Sequence, residues 1–232
     1  LIPLRDINPT RRAPLVTYWI IALNFAVFVY EFLLLSPLER AVFERTHAVI
    51  PMFLFSGYAP SLSTVFSSMF MHGNLVHLLS NMWFLHIFGD NVEDAMGHLR
   101  YAIFYVFCGV LAALVHAASD PGSQSQMVGA SGAICGVLGA YMLLFPRARL
   151  VTWLLLLFEM PALVYIGGYF ALQVYSGFSS LGHPRAAGVA FFAHVGGFVA
   201  GIGWVLLLGR PPPDPDTYLG PRLSDRNLRR RL

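Results

Sequence analysis

A serine, two histidines and an asparagine stand out because each sits in a stretch otherwise too apolar for water. Ser131 lies in Gly129-Ala-Ser131-Gly132, His194 opens His194-Val-Gly-Gly197-Phe-Val-Ala-Gly201, and His77 and Asn81 bracket His77-Leu-Leu-Ser-Asn81. A serine hydroxyl becomes a nucleophile when a base takes its proton, and histidine, titrating near neutrality, suits that work. The tetrahedral intermediate that follows needs hydrogen-bond donors aimed at its oxyanion. Four residues apart, His77 and Asn81 share a helical face at about 40° from each other. His86, nine residues after His77, falls on the opposite face and reads as structural or lipid-facing. Taken singly, a serine in a glycine-rich helix is a packing residue and an intramembrane histidine bridges helices; the conjunction is what points to chemistry.

The elements that must hold these side chains are membrane spans. Of the 232 residues, 56% are hydrophobic and 12% charged, with a mean hydropathy of +0.62. A soluble domain would carry roughly twice that charge, and disorder or a disulfide scaffold is excluded by the aromatic content and by there being two cysteines. Cys108 and Cys135 fall in apolar segments, where free cysteine behaves as a small hydrophobe, and no disulfide or redox role is expected. Apolar runs predict an all-α polytopic membrane protein of six transmembrane helices, at about 16–35, 74–89, 99–118, 131–146, 150–175 and 188–208. The second and fourth are short for a bilayer of about 30 Å, which thinned lipid or an inward position would accommodate. The first is too long for a signal-peptide core and reads as a retained span. The organisation is a cytoplasmic segment over 1–14, a six-helix domain over 15–208 and a disordered basic tail over 209–232.

Six spans put both termini on one side. All fifteen basic residues are arginine; twelve fall on that side and Arg40, Arg45 and Arg185 on the other, so both termini are expected in the cytoplasm. The tail carries the net charge of +3, which favours contact with anionic lipid over nucleic-acid binding. In this topology the even-numbered spans start at the outer surface, so His77, Asn81, Ser131 and His194 share one depth, His194 about six residues or 9 Å down. Polar groups there are costly and usually face a cavity or a partner. Gly197 and Gly201, with Cys135, Gly136 and Gly139 after Ser131, let spans four and six approach closely. Glu159, expected near mid-membrane on span five, reads either as a proton-relay residue or as a partner for backbone groups freed by the Pro161 kink. No HExxH occurs and the histidines are scattered, so neither metal nor cofactor is expected. With no carboxylate in reach, the chemistry reads as a Ser-His dyad.

These three motifs, in this order on six spans, resemble the rhomboid intramembrane serine proteases of the bacterial-type, six-span form. The resemblance covers about residues 15–208. It implies that Ser131 is the nucleophile, His194 the base, and His77, Asn81 and Gly129 the oxyanion- or substrate-binding group. It also implies cleavage of a transmembrane substrate helix in a water-accessible cavity open to the outside, with membrane lipid as the other partner and a bacterial plasma membrane as the location. Many relatives carry a Trp-Arg pair after span one, where this chain has Ser61-Leu-Ser-Thr64; the difference bears on that loop, not on the chemistry. The alternative is a protease-like protein that binds transmembrane helices without cutting them. Pro161, Gly167 and Gly168 weaken span five, and its outer half is the expected route of substrate access.

Overall fold

The computed structural model describes residues 2–56, 61–153, 156–180 and 190–209. Six long helices form the body: α1 (Leu15–Val29, continued by a π-turn over Tyr30–Leu34), α5 (Leu75–Met96), α6 (His98–Ser119), α7 (Ser131–Leu144), α8 (Ala162–Ser180) and α9 (Phe191–Leu208). Three shorter helices, α2 (Pro37–His47), α3 (Pro51–Leu54) and α4 (Ser61–Ser67), fill the connection between α1 and α5. By length and composition, Leu15–Leu34, His98–Ser119 and Phe191–Leu208 can each cross a membrane. Their outward residues, among them Trp19, Leu33, Leu99 and Leu207, are exposed apolar side chains, as a lipid-facing belt requires.

The shortness of α7 has a packing reason. At 14 residues it is only about 21 Å long, yet every residue from Gly132 to Tyr141 is buried. The helix is enclosed by α5, α6, α8 and α9 rather than by lipid. Its face toward α9 carries Gly132, Gly136 and Gly139. A Cβ added at Gly197 would run into the Gly132 carbonyl, and one at Gly201 into the Gly136 carbonyl. The two helices therefore touch backbone to backbone, a contact only glycine permits.

Two sequence expectations need correction. The fold is mostly helical rather than all-α, because an antiparallel sheet joins β1 (Ile2–Asp6), β2 (Arg149–Trp153) and β3 (Leu157–Pro161) in that order. Residues 150–153 and 157–161 belong to these strands instead of the fifth predicted span, and the helix that follows, α8, starts at Ala162. The run is apolar enough to pass for helix, but Val151, Thr152 and Trp153 favour extended backbone, and Ile2 to Asp6 supplies the strand they pair with. Glu159 accordingly lies on β3, not at mid-membrane, and meets Arg149 at 3.1 Å with both side chains well exposed. Apart from Gly209, the tail of 209–232 lies outside the described residues.

Below the sheet, the buried Glu93 near the end of α5 serves as a remote cap for α1, which has no side-chain cap of its own. Its carboxylate accepts from Val16 N–H (2.9 Å), Thr17 N–H (2.8 Å), Thr17 Oγ1 (2.7 Å) and His98 Nδ1 (2.6 Å). An acid beside a helix N-terminus also complements the helix dipole.

Candidate active site

Alternation of the long helices brings the N-termini of α5, α7 and α9 to one end of the bundle, opposite the sheet. Ser131 is the first residue of α7, and His77 and His194 lie in the first turns of α5 and α9. Ser131, His194, His77, Asn81 and Gly129 all line one cavity of about 920 Å³. His194 Nε2 is 2.8 Å from Ser131 Oγ. The geometry lets the hydroxyl donate to the ring, given a neutral ring protonated on the other nitrogen.

The other ring nitrogen has a partner too. His194 Nδ1 lies 3.0 Å from Oε1 of Gln173, on α8. Gln173 had escaped sequence reasoning, although a lone amide in an apolar span is the kind of signal that marks a functional position.

Asn81 is buried at the back of the cavity, and its Nδ2 is 2.9 Å from His72 Nε2. Burial, aided by the neighbouring His77, pushes His72 down to about 3. The ring is neutral and its Nε2 accepts one amide proton of Asn81, leaving the other for the cavity. His77 packs edge-on against His72 with ring centroids 5.1 Å apart. It is fixed from below by Asn74, whose side chain accepts from the His77 N–H at 2.8 Å and caps α5. His72 was also missed from sequence, since it precedes the predicted span and belongs to no spacing pattern within it.

Gly129 stands across from this pair with φ +130, a conformation L side chains rarely adopt, and its N–H donates to Ser68 O at 2.9 Å. A Cβ there would crowd Cε1 and Nε2 of His77, each 2.9 Å away. The glycine thus lets the chain turn into α7 with His77 close against it. The leading N–H groups of α7 have no acceptor within the helix, and His77 and Asn81 line the same cavity as the Ser131 hydroxyl. His86 stays away from the cavity and lies against Tyr18, ring centroids 6.2 Å apart. Cys108 and Cys135 are free and buried. Among the described residues no three His, Cys, Asp or Glu side chains gather as a metal site would require.

A mostly helical membrane protein with a hydrogen-bonded serine and histidine at one end of its bundle defines a narrow class. The rhomboid domain model matches residues 59–211, and the chain belongs to the rhomboid family. It is 35% identical over 145 residues to RHOMBOID-like protein 5 of Arabidopsis thaliana, covering 61% of this chain and 43% of that one. It is 30% identical over 136 residues to Rhomboid-like protein 11, chloroplastic, of the same plant, with 59% and 44% covered. It is 28% identical over 162 residues to Rhomboid protein 1, mitochondrial, of Saccharomyces cerevisiae, with 67% and 45% covered. The chain thus spans less than half the length of these relatives. The family and the apolar helices long enough to cross a bilayer make it an integral membrane protein. The bacterial plasma membrane expected from sequence finds no support in relatives named for chloroplast and mitochondrion.

Proposed function

We propose that the protein is an intramembrane serine endopeptidase that cleaves a transmembrane substrate segment near its end. The observation that carries this reading is the 2.8 Å contact between Ser131 Oγ and His194 Nε2 at the head of the cavity. In the proposed cycle His194 Nε2 takes the hydroxyl proton as Oγ attacks the scissile carbonyl. The oxyanion is met by His77, Asn81 and the first N–H groups of α7, and the convergent positive ends of α5, α7 and α9 favour its charge. His194 then returns the proton to the leaving amine, and an acyl ester remains on Ser131. A water, deprotonated by His194, hydrolyses that ester and restores both groups.

All six long helices act as spans in this reading, with α7 sheltered inside the others. The start of α1 and the end of α9 share the side that holds β1, the hairpin and most arginines of the described residues, and the cavity opens to the opposite side. Substrate reaches Ser131 laterally between α5 and α8, because α8 packs on α7 and α9 while meeting α5 at Tyr169 on Phe84, ring centroids 5.9 Å apart. Phe170, next to Tyr169 near the middle of α8, stacks on Phe198 of α9 with ring centroids 4.1 Å apart.

A serine-directed fluorophosphonate tests the proposal. Covalent labelling at Ser131 in detergent, lost in Ser131→Ala and His194→Ala together with cleavage of a model transmembrane substrate, is the expected result. Absence of labelling in a folded preparation would favour a protein that binds transmembrane helices without cutting them.

A further inference from the structure

His194 works through two ring nitrogens, and the cycle above uses one. A general base needs Nε2 unprotonated, which requires the proton of the neutral ring to sit on Nδ1. Oε1 of Gln173, 3.0 Å from Nδ1, can only accept. That contact selects the tautomer in which Nε2 faces Ser131 as an acceptor. Turned over, the amide would present its NH₂ to Nδ1 and impose the opposite, unproductive tautomer. What holds the amide is Tyr169, one turn earlier on α8, which is hydrogen-bonded to Gln173 and also reaches Cys135. Cys135 lies one turn beyond Ser131 on α7. The polar contacts therefore form a chain through three helices, from Ser131 by way of His194, Gln173 and Tyr169 to Cys135, with its two ends one turn apart on α7.

We propose that Gln173 is a positioning residue that fixes the tautomer of His194, and does so only while α8 is packed against α9. The inference rests on the protease reading for its purpose, but not for its geometry. Neither ring nitrogen of His194 meets a carboxylate. The ionisable side chains that act on it are His77 from α5 and His116 from α6, with Asp120 acting on His116 in turn. A neutral amide thus stands where an acidic third member would, on the helix that borders the access seam. Displacing α8 to admit a substrate would release Nδ1, and its return would restore the base. Substrate access and base orientation become two consequences of one helix position.

The test uses the full chain in detergent with ¹⁵N-labelled histidine, the His194 ring signal being identified by its loss in His194→Ala. The wild-type ring is expected as the Nδ1-protonated tautomer. Gln173→Met keeps the length and removes the acceptor; it should give a mixture of tautomers and lower the rate of fluorophosphonate labelling by about 3- to 10-fold, as for loss of one neutral hydrogen bond. Gln173→Glu keeps an acceptor but adds charge. It should retain the tautomer and move the acid limb of the labelling profile to higher pH by about one unit or more. A merely structural role would move neither. An Nε2-protonated wild-type ring, or a Gln173→Met ring and rate identical to wild type, overturns the proposal. Should Gln173→Met fail to fold, Gln173→Glu alone decides, an unmoved pH limb counting against it; in a chain that takes no label, an unmoved ring titration counts the same way. A chain whose ring behaves as expected but whose Ser131 takes no label and cuts nothing keeps this assignment and loses the protease reading.

Discussion

At the scale of single residues, the proposed site depends on how individual polar groups are oriented. Asn81 has one amide proton committed to the neutral His72 and one left for the cavity. Removing it in Asn81→Ala deletes one oxyanion donor while His77 and the α7 backbone remain, so cleavage should fall by about 10²–10³-fold without the complete loss expected of Ser131→Ala. The measurement is kcat for a model substrate at saturating concentration. A rate within twofold of wild type would remove Asn81 from the oxyanion site. In His72→Leu the amide would lose its anchor and the same defect should appear in weaker form.

At the scale of elements, distance control between the dyad partners falls to the glycine seam of α7 and α9. Ser131 and His194 stand on different helices, and their 2.8 Å contact is kept by packing from Gly132 to Gly139 against Gly197 and Gly201. At Gly197 and Gly201 the obstacle to a larger residue is a backbone carbonyl of the facing helix, which cannot rotate aside as a side chain can. Even Gly197→Ala should therefore push the helices apart, and an error of about 1 Å at a reacting pair can cost about 10²-fold in rate. Thermal unfolding and labelling of Ser131 should both register the change. An unchanged melting temperature together with full labelling would show that the seam is looser than described.

At the scale of the whole molecule, the two ends of the bundle hold different polar groups. The cavity end collects the N-termini of α5, α7 and α9, which in the proposed cycle face developing negative charge. The other end collects carboxylates, with Glu93 at the start of α1 and Asp94 accepting from the N–H groups of Arg11 and Arg12 at 3.2 and 3.1 Å. Asp6 belongs to this end as well. Burial raises its carboxyl above the ordinary 3.8, and the hydrogen bond that Tyr141 donates to it at 2.7 Å lowers it only in part. Because the folded value exceeds the unfolded one, the acid form contributes stability that is whole below 3.8 and is lost as pH rises through the folded value. Asp6→Asn keeps an oxygen for Tyr141 and cannot ionise. Its melting temperature should gain on wild type as pH rises from about 4 to 8; a difference that stays flat over that range would contradict the burial.

By itself the sequence determined the class of protein, because membrane helices need long apolar runs and because polar groups inside them are too costly to be casual. Ser131, His194, His77 and Asn81 were legible for that reason, and Gly197 and Gly201 because small residues at helical spacing mark a close contact. The strands over 149–153 and 157–161 were not legible: their apolar residues read like helix, and the pairing with β1 joins residues more than a hundred positions apart. Glu159 moved with it from mid-membrane to an exposed ion pair with Arg149. Only the tertiary structure could decide how Ser131 and His194 meet, that Gln173 faces the other ring nitrogen of His194, and that His72 lies against the amide of Asn81. Those are relations between side chains on different elements, set by packing geometry that no local spacing encodes.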